Sequence, residues 1–366
     1  MGRVFFMPVE TSSRDLEYKS FIARKIFKKG DIFVFARPWV LQTLTNIFAN
    51  INWLGQNCFE VSKLFKKSVK DNLKFKNGQL FYIDEEGGIF PNERAEEILT
   101  KRYAKKDFSK DDMVYCWGSR QQSIIKKLGI EAQIIGHPRF RPKEFPKPSK
   151  KEEILVMTSM TLMMSERNLA PAYVSEEIFI ERLYKDSVNN FEKLISFVRN
   201  SKENILIRNH PSESRETYEK IFKNLKKVTI LPRESLEKSL SRSNKIYHFN
   251  CTTALDAYCY GLKTNDLSDE SFTILNDLKL TDDFSSLWLT YPPKIDILEE
   301  DLNTYSKKTK TGIMFKTFLI SSCLLLELIY RLRTIINRDR YQDEKFGKFN
   351  FKLSKSILSV GFLMKT

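Results

Sequence analysis

Short apolar runs alternate with amphipathic stretches over the first 140 residues. Val4-Phe5-Phe6-Met7 and Ile32-Phe33-Val34-Phe35 have the length and continuity of buried strands. Between them, DLEYKSFIARKIFKKG repeats Leu16, Phe21, Ile22 and Ile26 at near-helical spacing and ends at Gly30, which predicts a helix with a glycine stop. LFYID, Met113 to Trp117 and Ala132 to Ile135 add strands, with a helix from Gln121 to Leu128 between the last two. This strand–helix–strand rhythm implies βαβ units on a parallel sheet.

The rhythm breaks at RFRPKEFPKPSKKEE, residues 139–153, where three prolines and a run of charges read as a linker. It then restarts. Strands are expected at Ile154–Met157, Ile205–Ile207, Val228–Leu231 and Lys245–Phe249, and helices at Glu176–Arg199, Arg215–Leu225, SLEKSLSRS and TTALDAYCYG. The expected layout is a first α/β domain over 1–140, a linker over 141–153, a second over 154–300, and a basic, apolar helical tail over 301–366. Doubly wound sheets bind ligands at the carboxyl ends of their strands, which points to a cleft between the two domains.

Composition changes the picture at the tail. The chain of 366 residues carries a formal net charge of +15. From Ser306 onward 13 Lys/Arg face 4 Asp/Glu, so nine of those charges sit in the last sixth. A nucleic-acid binder spreads basic and aromatic residues over a folded face. A basic segment around the apolar run IMFKTFLISSCLLLELIY suits an anionic membrane surface instead, or else a core helix packing back on the domains. Lys316 and Glu327 leave only about ten uncharged residues in a row, too few to span. Five scattered cysteines without a CxxC pair fit a reducing cytoplasm, and MGRVFFMPVE lacks the features of a secretory signal.

Three strand-end loops carry candidate chemistry. Asp84-Glu85-Glu86-Gly87 follows an apolar strand; clustered carboxylates raise one another's pKa and suit proton transfer, and glycine admits a ligand close to the backbone. An acidic hairpin turn is the plain alternative. Arg208-Asn209-His210-Pro211 pairs a permanent cation with a histidine whose geometry proline restricts. Asn250-Cys251-Thr252-Thr253 puts two hydroxyls at a helix start, where they serve an anion or simply cap the helix. Ser159 and Glu10, after the first strand of each domain, are weaker candidates that read equally as turns. His137 in GHPRF reads as a packed loop histidine. GxGxxG, P-loop, HExxH and nucleophile-elbow motifs are missing, so no cofactor or metal is implied.

In this order the loops resemble the acidic, HP and Ser/Thr motifs of bacterial GT-B glycosyltransferases that use CMP-activated acidic sugars. YIDEEG, the CWG strand and GHPRF are similar to bacterial surface polysaccharide biosynthesis proteins, and the layout to Kdo transferases. The resemblance spans roughly residues 1 to 265. It implies a metal-independent GT-B enzyme with two Rossmann-like domains facing a cleft. One of Asp84, Glu85 and Glu86 would deprotonate the acceptor; Glu85-Glu86-Gly87 fits the family's D/E-D/E-G spacing, and Asp84 needs a shifted register. By the resemblance, His210 of the His210-Pro211 motif would hold the cytidine or its phosphate and Thr252 and Thr253 that phosphate; Gly87, Arg208, Asn250, Ser159 and Glu10, read from their own loops, would add contacts to substrate or nucleotide. The family's third motif usually opens with Ser, where this chain has Asn-Cys-Thr-Thr. The implied partners are a CMP-sugar donor, Kdo-like or sialic-type, a glycan or glycolipid acceptor, and an anionic membrane at the cytoplasmic face, with no nucleic acid. A CDP-polyol phosphotransferase of the teichoic acid type and a non-catalytic nucleic-acid binder are the alternatives.

Overall fold

The computed structural model describes the chain apart from residues 11, 63–64, 86–93, 105–107, 145–152, 161–176, 211–212, 233, 244, 250, 269–287, 337–360 and 365–366. For 12–14, 104, 177–183, 330–336 and 361–364 it describes the backbone alone. Two compact units emerge: Met1–Gly88 with Glu96–Arg139 and Ser285–Thr366, and Ile89–Ala95 with Phe140–Phe284.

The first unit opens with β1 (Gly2–Pro8), α1 (Ser12–Ile26), β2 (Ile32–Ala36), α2 (Pro38–Thr45), β3 (Ile51–Leu54) and α3 (Val69–Phe75). It continues through β4 (Gln79–Ile83), α4 (Ala95–Ala104), β5 (Met113–Cys116), α5 (Ser119–Lys126) and β6 (Gln133–Ile134). These six strands run parallel in the order β2-β1-β3-β4-β5-β6. Every residue of β1, β2, β3 and β4 is buried, as expected of strands covered on both faces. α1 lies where its apolar spacing predicts, but it turns Tyr18, Ile22, Ala23 and Ile26 inward together with the charged Asp15 and Lys19, and leaves Leu16 facing out. Gly30 follows in the left-handed region, φ +95°.

The second unit contains β7 (Glu153–Met157), α6 (Glu177–Asn200), β8 (Asn204–Arg208), α7 (Arg215–Phe222) and β9 (Val228–Ile230). α8 (Leu236–Leu240), β10 (Lys245–His248), α9 (Thr253–Cys259) and β11 (Thr264–Asp266) follow. Its five strands are parallel in the order β11-β10-β7-β8-β9. The alternation along each strand feeds two cores. Ile154, Val156, Ile205 and Ile207 pack with Leu194, Val198, Tyr218 and Phe222 from α6 and α7. Leu155, Met157 and Leu206 pack on the other face with Leu240 and Ala257 from α8 and α9. The fold is therefore α/β with two doubly wound parallel sheets, the class the pattern predicts.

The chain then returns to the first unit with α10 (Ile295–Tyr305), β12 (Lys308–Thr309), α11 (Ile313–Ile336) and β13 (Gly361–Met364). Leu298 and Leu302 of α10 join the core formed by Tyr18, Ile22, Ile26, Phe5 and Phe33. β12 pairs antiparallel with the start of β1, and β13 with β2. Asn52 fixes the return by donating to the Lys307 carbonyl at 2.9 Å and accepting from the Lys307 amide at 2.7 Å. The described residues from 288 to 300 thus group with the first unit and not with the expected second domain, and β12 and β13 pair with its strands instead of forming a separate tail. The apolar side of α10 covers a part of the first unit's core that is left open without it.

Candidate functional site

In the first unit the strand order turns outward on either side of β1 and β3, and ligands of doubly wound sheets bind outside the carboxyl ends at such a switch point. Three loops end there. After β1, the Glu10 amide donates to Asp15 Oδ2 at 2.9 Å, and Glu10 Oε1 accepts from Asn57 Nδ2 at 2.5 Å. After β3, Gly55 adopts φ +138°, and a Cβ there would stand 2.9 Å from Glu85 Oε1 and 3.0 Å from Pro8 Cγ, so the close approach of three loops needs glycine. After β4, the Glu85 amide donates to Gln56 Oε1 at 3.2 Å. Lys19 of α1 joins the first and third of these loops: its ammonium donates to the Pro8 carbonyl and lies 2.5 Å from Glu85 Oε1.

The acids at 84 and 85 do not face each other's charge uncompensated, as the sequence expectation supposed. Asp84 is fully buried and receives Arg102 Nη1 on both oxygens at 2.9 and 2.8 Å. Tyr103 Oη adds a hydrogen bond at 3.3 Å, and the Asp84 carbonyl accepts from Trp117 Nε1 at 2.5 Å. Burial works against the Arg102 charge, but the charge and hydrogen bonds of Asp84 outweigh it and hold the guanidinium above its ordinary pKa. Burial and then the charge of Asp84 push the Tyr103 and Tyr82 hydroxyls well above the usual tyrosine range. Each described acid of the motif therefore has its own cation, Lys19 buried and Arg102 partly so. Glu86 and Gly87 lie outside the described residues.

In the second unit the switch point falls between β7 and β10. Ser159 follows β7, and Cys251, Thr252 and Thr253 follow β10. Arg208 closes β8 in register with Met157, and Asn209 and His210 come next, so all of these loops share one carboxyl edge. Asn250 and Pro211 lie outside the described residues. Thr252 occupies the N-cap of α9, yet its side chain accepts no capping N–H, and Thr253 Oγ1 donates to Cys251 Sγ at 3.0 Å. The helix-capping explanation of these hydroxyls therefore fails. Burial lowers the Arg208 guanidinium below its ordinary pKa, and Arg208 Nη2 donates to the Glu234 carbonyl at 3.4 Å.

What organises this edge is Glu213, which no motif or spacing singles out. Fully buried, it accepts from the Met160 amide, from Thr158 Oγ1 at 2.5 Å, from the His210 amide at 2.9 Å and from Tyr218 Oη at 3.1 Å. One carboxyl so ties the loop after β7 to the loop after β8. Burial raises its pKa, and the hydrogen bonds recover only part of that shift.

Several other residues belong to these edges. Lys19, Gly55, Gln56, Asn57, Arg102 and Glu213 were missed; charged residues at inward positions of α1 were the one available signal, and it pointed to Lys19. His137 is a packed histidine, its ring 4.8 Å from Trp117 and 5.1 Å from Tyr18, and its Nδ1 accepts from the Arg139 amide at 3.1 Å. Among the described residues no group of three or more His, Cys, Asp or Glu side chains is placed to hold a metal ion, and no helix is long and apolar enough to cross a membrane.

No protein-family model and no curated protein matches the chain. Among solved structures, the wall teichoic acid polymerase TagF is similar. A variant form of it with CDPG gives a TM-score of 0.37 at 9% identity, covering 83% of this chain and 78% of that one. A second TagF structure gives 0.30 at 11% identity, covering 83% and 79%. Likeness at this level leaves the chemistry to be read from the chain's own residues.

Proposed function

We propose that the chain is a GT-B-type glycosyltransferase that moves a Kdo-like or sialic-type sugar from a CMP-activated donor onto a bacterial surface glycan or glycolipid. The observation that carries this reading is the division of labour between two strand-end edges. The second unit gathers Arg208, His210, Ser159, Thr252 and Thr253, a cation with hydroxyls suited to a nucleotide phosphate. The first gathers Glu10 and the 84–86 run, an acidic edge suited to an acceptor hydroxyl, within which Asp84 and Glu85 are held by Arg102 and Lys19.

On this reading the nucleotide sits against the second edge, with Asn250 and Pro211 of the same loops contributing. Gly87 admits the acceptor, and one acid of the 84–86 run takes its proton. No metal takes part. The enzyme works peripherally at the inner face of the cytoplasmic membrane.

The test is a thermal-shift titration of the full chain with CMP, CDP, UMP and AMP, followed by mass analysis of products from CMP-Kdo, CMP-sialic acid, CDP-glycerol and CDP-ribitol. Stabilisation by cytidine nucleotides and a product lacking added phosphate support the sugar transferase. A product that gains phosphate with a polyol replaces it with a teichoic-acid-type phosphotransferase. Stabilisation by another base, with none by CMP, overturns the cytidine assignment.

A further inference from the structure

α11 turns apolar residues outward as well as inward. An exposed helix on a folded unit normally turns charge to water and apolar residues inward. Here the outward positions run Ile313, Met314, Thr317, Phe318, Ser321, Leu324, Leu325, Leu328 and Ile329, a continuous i, i+3, i+4, i+7 face without a single charge. Met314 is 87% exposed, Leu325 58% and Leu328 53%. The opposite side, Leu319, Cys323 and Glu327, is buried. Phe48, just past α2, fixes the orientation, its ring packing at 5.3 Å on Phe315 and 5.5 Å on Phe318. The apolar face is therefore not awaiting a place in this unit's core; another face of the helix already fills that place.

We infer that this face of α11 docks the protein on an anionic lipid surface, the helix lying in the interface plane. Charge decides between occupants. Exposed Lys308 and Lys310 precede the helix, Arg331 and Arg333 fall in its last turns, and Glu327, turned inward, is the one acid between Ser306 and Arg338. An apolar stripe bounded at both ends by cations matches acyl chains flanked by lipid phosphates. A second copy of the chain fits poorly, because a two-fold pairing of this face would bring cationic ends against cationic ends. A span is excluded by the packed inner side and by Lys316, Glu327, Arg331 and Arg333 within the helix.

The test uses the full chain and vesicles of phosphatidylcholine, alone or mixed with phosphatidylglycerol, in a sedimentation assay without donor or acceptor. Its outcome is therefore independent of the transferase reading. The protein is expected to sediment with the mixed vesicles and to be released partly by salt. Combined Met314→Gln, Leu325→Gln and Leu328→Gln replacement alters exposed positions only, and is expected to weaken partitioning about tenfold or more at unchanged Tm. Lys308→Glu with Lys310→Glu is expected to erase the preference for phosphatidylglycerol. Equal binding by the wild type and the triple variant, or no binding by the wild type, overturns the inference. So does a wild-type dimer, seen by sedimentation velocity, that the triple variant converts to a monomer without any vesicle binding.

Discussion

Lys19 and Glu85 meet at 2.5 Å between Nζ and Oε1, with side chains 1% and 3% exposed. The same ammonium donates to the Pro8 carbonyl, so one buried cation joins α1 to the ends of β1 and β4. It holds in place the edge at which we propose the acceptor binds.

A pair this deep is expensive to break from one side. Lys19→Met leaves the Glu85 carboxylate buried and uncompensated and is expected to lower unfolding free energy by about 3–5 kcal/mol. Adding Glu85→Leu should restore most of that loss, because an apolar pair of similar volume removes both desolvation penalties. Urea denaturation of the two single variants and the double measures the coupling. A Lys19→Met variant within about 0.5 kcal/mol of wild type would show that the pair is open to water in solution.

The ion pairs of Asp84 and Glu85 also bear on which acid takes a proton. Asp84→Asn removes the charge partner of Arg102 and is expected to lower Tm as well as any activity, because both sides of that contact are largely withdrawn from water. Glu86→Gln is expected to abolish turnover while leaving CMP affinity intact. Full activity in the Glu86 variant would return the role to one of the two paired acids.

Glu213 makes stability depend on pH with a defined sign. Burial lifts its folded pKa above the ordinary carboxyl value of 4.5, so the folded chain holds this proton more tightly than the unfolded chain does. The stability it contributes is fully present below the unfolded pKa and is lost as pH rises through the folded value. Glu213→Gln lacks this dependence. Relative to the variant, the wild type is therefore expected to lose ground steadily as pH rises above about 4.5, measured as urea midpoints across the range. A gap that does not change with pH would mean that the carboxyl titrates normally.

Thr252 separates binding from stability. A capping threonine typically contributes about 1 kcal/mol, but this one makes no cap bond. Thr252→Ala should leave Tm nearly unchanged while weakening CMP binding about tenfold, followed by calorimetric titration. A lowered Tm with unchanged CMP affinity would make it an ordinary cap after all.

The fold was legible where strands are buried on both faces. β1, β2 and β4 are runs of consecutive apolar residues that leave little choice. α2, eight residues of PWVLQTLT, and β3, the four residues INWL, were not foreseen, since neither is long enough to establish a period. Of the apolar positions that marked α1, Ile22 and Ile26 face the core and Leu16 does not, because Asp15 and Lys19 occupy core-facing positions and blur the apolar stripe. At the site, turn chemistry betrayed the loops but not what holds them. Arg102, Lys19 and Glu213 act through partners 18, 66 and up to 55 residues away, and no local pattern records such pairings. For the same reason the packing of Leu298 and Leu302 against α1 could not be anticipated.

That return has a consequence for how the protein comes into being. The second unit is nearly contiguous, and its five strands are all made by Asp266. The first unit, begun earlier, waits for α10, for the two residues that pair with Gly2 and Arg3, and for β13 along β2. A chain emerging from the ribosome therefore finishes its second unit first, while β2 presents an open edge to the crowded surroundings. Cellular yield of this protein should then depend less on its final stability than on how quickly residues 285–366 arrive to close that edge.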